Sequence, residues 1–145
     1  MKRAGLTILA AGVLLALGTA EGRGAEKDDV QGTWVATSIE VNGNPAPANE
    51  VRRTRFAFRG GKLLVRGARD DGREVEGNYK TDPGKSPKQV DFTIGNKSFA
   101  GIYEVRGDEL RLCFENGGRA ENRPKKFATN RQDELVLMVF KRQKP

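Results

Sequence analysis

The residues able to do chemistry are few in this chain, and the first fact about them is an absence: the 145 residues include no histidine. Ser-His-Asp and Cys-His catalysis, and every histidine-containing metal site, are thereby excluded. Carboxylates, one thiol and many basic residues remain. Glu74 and Glu76 stand two apart, which puts both on one face of a strand, where paired carboxylates could do acid–base work. Opposite the apolar Val75 they read as a solvated polar face. Asp70-Asp71-Gly72 has the opening of a calcium loop but lacks the further spaced acids such a loop needs. No metal, cofactor or catalytic residue is therefore expected, and the chain is read as not an enzyme. Cys113 lies between Leu112 and Phe114 and reads as a buried small hydrophobe, since a reactive thiol wants a positive, exposed setting. Glu104 would need a basic partner if it turned inward, with Arg111 and Arg142 available by type. The favoured reading turns it outward, between inward Tyr103 and Val105.

The elements that must position these residues are strands. From Gly32 onward, short runs of aromatic and β-branched residues alternate with polar ones, and turn signals recur every eight to twelve residues or so. The pattern predicts strands over 33–41, 54–59, 62–66, 74–81, 89–94, 98–105, 109–115 and 134–142, with one helical turn within 46–53. In the first strand Val35, Thr37, Ile39 and Val41 share a face. Gly60-Gly61 reads as a two-residue hairpin turn, because paired glycines accept the positive φ that tight turns demand. The loop 82–88 holds two prolines and reads as rigid and exposed, with Asp82 capping its turn. The polar stretch 116–133 is long enough for a lid over a barrel mouth, or for a disordered basic surface segment. Eight strands with short sequential connections predict an all-β fold, a single antiparallel up-and-down meander that closes into a barrel and so removes its edges.

The start of the chain has a different character. Lys2 and Arg3 precede seventeen uncharged residues, Ala4 to Ala20, and Gly18 and Ala20 occupy the small positions a signal peptidase reads. The run is short and rich in Ala and Gly for a membrane span, which wants about 20 apolar residues. Residues 1–20 are therefore expected to be a cleaved signal peptide, 21–29 a flexible lead and 30–145 the domain, with no transmembrane segment in the mature protein. No cysteine follows the apolar run to carry a lipid. Export to the periplasm or the extracellular space is the expected destination, which leaves nucleic acid out as a partner. The formal net charge of +7 stays positive after Lys2 and Arg3 leave, and favours anionic partners.

Gly32-Thr33-Trp34 opens the first strand, after Val30-Gln31 and before Glu40-Val41-Asn42-Gly43. Then come Tyr79-Lys80-Thr81-Asp82-Pro83, Lys85, Pro87-Lys88 and Asp91-Phe92-Thr93. Gly101-Ile102-Tyr103-Glu104-Val105 leads to Gly107-Asp108-Glu109-Leu110 and Leu112-Cys113, and the chain closes with Leu135-Val136-Leu137 and Phe140-Lys141-Arg142. Together these resemble the small, uncharacterised lipocalin-like domain family abundant in planctomycete bacteria, over essentially the whole mature chain. The resemblance implies a lipocalin-like barrel and brings no activity with it. The wider lipocalin pattern also implies that Trp34 closes one barrel end and that a basic residue of the last strand, Arg142 with Lys141 as substitute, packs across it in a structural role.

Two functions remain open on the sequence. In the first, the chain is a non-enzymatic exported module holding a small apolar molecule in a barrel lined by Phe56, Phe58, Tyr79, Phe92, Tyr103 and Phe114. In the second, those side chains fill a solid core, and the protein is a structural or interaction protein of the cell envelope that meets an anionic component or a protein through its basic surface and loops.

Overall fold

The computed structural model describes residues 29–67 and 71–144. The expected export signal, and the lead as far as residue 28, lie outside the described residues. So does Asp70 of the Asp70-Asp71-Gly72 segment.

The strands follow the alternation closely. They are β1 (Gly32–Val41), β2 (Asn44–Pro45), β3 (Arg55–Arg59), β4 (Lys62–Arg66), β5 (Val75–Asp82), β6 (Lys88–Ile94), β7 (Lys97–Arg106), β8 (Glu109–Glu115) and β9 (Leu135–Arg142), with one short helix, α1 (Ala48–Arg53). Every neighbouring pair is antiparallel, in the order β1-β3-β4-β5-β6-β7-β8-β9, and β9 pairs back onto β1. The result is a closed eight-stranded up-and-down barrel, with β2 as a two-residue tab on β1. Closure leaves no barrel strand with an open edge ladder. The Gly60-Gly61 turn takes φ values of 56° and 90°, the left-handed conformation that joins β3 to β4 without splaying them.

Register assigns the faces. Trp34 pairs with Phe56, Phe56 with Val65, and Phe58 with Leu63. On the far wall Tyr103 pairs with Leu112, Leu112 with Met138, and Leu110 with Phe140. All of these belong to one buried cluster inside the barrel.

The first strand departs from its expected face. Its pairing with β9 slips between Ala36 and Ser38, a bulge that leaves Thr37 as the extra residue and reverses the alternation. Trp34 and Ala36 point inward before it, and Ile39 packs on the core after it. Val35 and Thr37 belong to the outer face, and Val41 is 37% exposed. A period-two reading cannot see a one-residue slip, because every side chain beyond it changes sides.

Candidate functional site

The six aromatic residues expected to line the barrel belong to its buried cluster or pack on it, and Phe56, Phe58, Tyr79, Phe92 and Phe114 each meet another aromatic ring. Phe58 meets Tyr79 edge-on with ring centroids 4.9 Å apart, and Phe92 meets Phe114 at 5.1 Å. Phe56 packs on Phe140 at 5.0 Å, and Phe99 stacks on Phe92 at 4.9 Å. Such contacts contribute about 0.5–1.5 kcal/mol per pair beyond area burial. Phe140, Leu63, Leu110 and Leu112 complete the interior with at most 1% of their surface exposed. Sequence reasoning passed over Phe140 because β9 is apolar on both faces. Two glycines mark where the interior has no room: a Cβ on Gly101 would lie 2.8 Å from the Cβ of Phe114, and one on Gly77 would lie 2.0 Å from the carbonyl oxygen of Thr93.

One end of the barrel is closed by the segment before β1. Trp34 is fully buried, and its indole Nε1 donates to the carbonyl of Val30 at 2.9 Å. The Arg142 guanidinium lies 4.2 Å from the indole centroid. It donates to the carbonyls of Gln31 at 2.9 Å and Asp29 at 3.4 Å, and sits 3.5 Å from the Asp108 carboxylate. Lys141 is exposed on the outer face. The hydrogen bond from Lys144 holds the Asp108 carboxyl below its ordinary value.

A polar layer lies beneath this closure. Lys88 reaches inward from β6, with its Nζ 3.0 Å from Asp29 and 5.9 Å from the Tyr103 ring centroid. Gln31 donates from its side-chain amide to the Tyr79 hydroxyl. Burial, followed by the negative charge of Asp29, pushes the Tyr103 phenol up to about 12. The sign of its pH effect follows. Below pH 10, phenols in both the folded and the unfolded chain keep their protons and stability is unaffected. Above that, the unfolded chain releases a proton that the fold retains, so stability falls as pH rises from about 10 towards 12. An alkaline tyrosinate absorbance titration should show one late phenol, missing from Tyr103→Phe. A late component that persists in that variant would assign it elsewhere.

The opposite end is stoppered by apolar side chains. Ile39, Val51 of α1, Ile94 and Phe99 pack on the cluster there. The long β8–β9 connection, 116–134, was one candidate for a lid over a mouth. It runs along the outer wall instead. Arg123 donates to the carbonyls of Val90 and Gly101, at 3.3 and 2.9 Å, and pairs with Asp91 at 2.7 Å. Phe127 lies under the Arg111 guanidinium at 4.6 Å, and the Thr129 hydroxyl accepts from the Gly43 backbone at 2.9 Å. Glu104 faces outward, between Arg106 and Arg111. Buried Glu115 accepts from the Arg119 backbone at 2.7 Å and starts the strap.

The strap explains the thiol. Cys113 points to the outer face of β8, yet it is fully buried, 3.6 Å from the Ala128 carbonyl. Burial raises its pKa. Its reaction with a disulfide reagent should be about tenfold or more slower in the native than in the unfolded protein, and Phe127→Ala should accelerate it by loosening the strap. Equal rates in native and unfolded protein would mean that the strap does not protect it.

Two of the larger hollows among the described residues lie on the outer wall, and another reaches the inward-facing Lys88, Tyr103 and Val105 at the closed end. One of about 530 Å³ lies along the strap between Glu121 and Leu135, and one of about 290 Å³ is bounded by Pro83, Pro87, Tyr103, Val105 and Phe127. A third, of about 350 Å³, lies on the outer wall of β3 and β4. Of the six residues expected to line a ligand cavity, Tyr103 borders the second of these hollows, Phe92 borders a further one of about 270 Å³ beside Phe99 and Arg123, and Phe56, Phe58, Tyr79 and Phe114 border none of the four. In the loop 82–88, Asp82 accepts from the Gly84 backbone at 3.2 Å, an Asx turn. No three His, Cys, Asp or Glu side chains gather to hold a metal among the described residues, and no helix there is long and apolar enough to cross a membrane.

No family model matches the chain, and neither a curated protein nor a solved structure is matched.

Proposed function

We propose that this protein is an exported, non-enzymatic, lipocalin-like module that works by contact through its outer surface, with a solid barrel as its scaffold. The observation carrying this reading is the mutual packing of the interior aromatics, which leaves Phe56, Phe58, Phe92 and Phe114 as core rather than as the wall of a cavity. The stacking of Arg142 on Trp34 across one end supports the lipocalin-like assignment. A pocket for a small apolar molecule needs about 300 Å³ or more of lined space; the hollows of about 530 and 350 Å³ lie on the outer wall, and the one of about 290 Å³ at the closed end is bordered by Lys88 and Glu104 as well as by apolar groups.

Native mass spectrometry of protein purified from its own host, joined to titration with an apolar fluorescent probe, tests the reading. The protein should carry no apolar molecule and leave the probe dark. Phe140→Ala, which empties a fully buried ring site beside Phe56, should gain probe binding, because an apolar void inside a folded protein stays dry and accepts apolar guests. A stoichiometric apolar molecule retained by the wild-type protein overturns the reading and restores the carrier.

A further inference from the structure

The outer face of β3 and β4 holds positive charge that the fold does not need. The register sets Arg55 opposite Arg66 and Arg59 opposite Lys62, with Ala57 opposite Leu64 between them. Because Phe56, Phe58, Leu63 and Val65 fill the inner face, all six of these residues fall on the outer one. Like charges directly opposite on neighbouring strands repel and destabilise the pair, and this hairpin of two five-residue strands carries two such pairs. Carboxylates offset them only in part. Glu76 sits 3.0 Å from Lys62 and Glu74 only 3.9 Å from Arg66. Arg55 meets the neutral Gln143 amide at 3.4 Å, and Arg59 has no ion-pair partner among the described residues.

We infer that this face is a binding site for an anionic polysaccharide, with Arg55, Arg59 and Arg66 as its anion-holding residues. The inference rests on the reading that the outer surface is the working surface, and it names the partner. The three arginines line a groove of about 350 Å³ with Ala57 and Leu64 in its floor, Thr33 and Gln143 at its side, and the Glu74 carboxylate beside Arg66 as the one acidic group in its lining. Guanidinium forks match the two-oxygen edge of a sulfate or carboxylate. The small apolar floor suits a sugar ring face, and Thr33 and Gln143 supply neutral hydrogen-bonding groups for hydroxyls. Nucleic acid fits less well, because no aromatic side chain lines the groove to stack a base. A lipid surface also fits less well. Interfacial binding uses apolar side chains that enter the acyl boundary, and the large hydrophobic residue exposed among those described, Val41, stands outside the groove.

The experiment titrates the mature chain with sulfated dextran, neutral dextran, phosphatidylglycerol vesicles and oligothymidylate, all at physiological salt. Sulfated dextran should bind with an affinity that falls as salt rises, and neutral dextran should not bind. Arg59→Glu should weaken binding about tenfold or more, the loss expected when one charge-assisted contact is removed. Lys125→Glu on the strap makes the same change in net charge away from the groove and should weaken it by less than about twofold. Arg59→Gln should melt no lower than the wild type, since it removes one member of a repelling pair. Equal losses from Arg59→Glu and Lys125→Glu overturn the groove, as does vesicle or oligothymidylate binding as tight as that of the sulfated polymer. Loss from the strap variant alone would overturn the groove while keeping surface recognition. Failure to bind any polyanion, with an apolar molecule found in the barrel, would remove both.

Discussion

Replacing Trp34 with alanine should lower the free energy of unfolding by about 3–5 kcal/mol, the range for deleting a large buried aromatic side chain. The ring is fully buried. Its indole N–H holds the Val30 carbonyl at 2.9 Å, and one ring face carries Arg142 at 4.2 Å. Without the ring, Arg142 loses a cation–π contact of about 0.5–2 kcal/mol, and the segment 29–31 loses its seat. Trp34→Phe keeps most of the burial and gives up the N–H bond, so its cost should be smaller, about 1–2 kcal/mol. Arg142→Met should fall between these, because it abandons hydrogen bonds to Gln31 and Asp29. Urea unfolding of the three variants ranks them. A Trp34→Ala cost below about 1 kcal/mol would show that this end of the barrel is not held shut by the indole.

Gly77→Ala should be nearly as severe, for the opposite reason. Adding a methyl group inside a packed core costs about 1–3 kcal/mol, more where the obstacle cannot move. Here the obstacle is backbone. The new Cβ would stand 2.0 Å from the Thr93 carbonyl oxygen, and β5 pairs with β6 through Gly77 and Ile94. The two strands must part or the barrel must re-register, so the expected loss is about 3 kcal/mol or more. Gly60→Asn is the control. Nothing lies within 4 Å of its added Cβ, and its φ of 56° is one that asparagine tolerates. It should stay within about 1 kcal/mol of wild type. If denaturant titration shows the two variants equally mild, the close approach of β5 and β6 is not what fixes this glycine.

Much of the frame was legible in the residues. The expected strands 62–66 and 109–115 coincide with β4 and β8, and the other six barrel strands differ by a residue at one end or both. Side chains on a strand alternate with a fixed period, and the Gly- and Pro-rich turns punctuate it. The helical turn foreseen within 46–53 is α1. The outward Glu104 was legible for the same reason, lying between inward Tyr103 and Val105. The bulge at Thr37 was not, because it is set by the pairing of β1 with β9 across more than a hundred residues. The strap was not, because 116–133 has no periodicity of its own, and its position comes from Arg123, Phe127 and Thr129 finding partners on distant strands.

The alternation that makes strands, the turns that make neighbours antiparallel and the absence of imidazole chemistry all follow from the residues as they stand in the chain. Those are local properties, written in residue type and short spacing. It took the folded barrel to make the interior aromatics meet, to cover Cys113 from outside with the strap, and to set Arg55, Arg59 and Arg66 along one groove. Each of these depends on barrel closure and register, which are fixed by the sum of many long-range contacts and by no short stretch of residues.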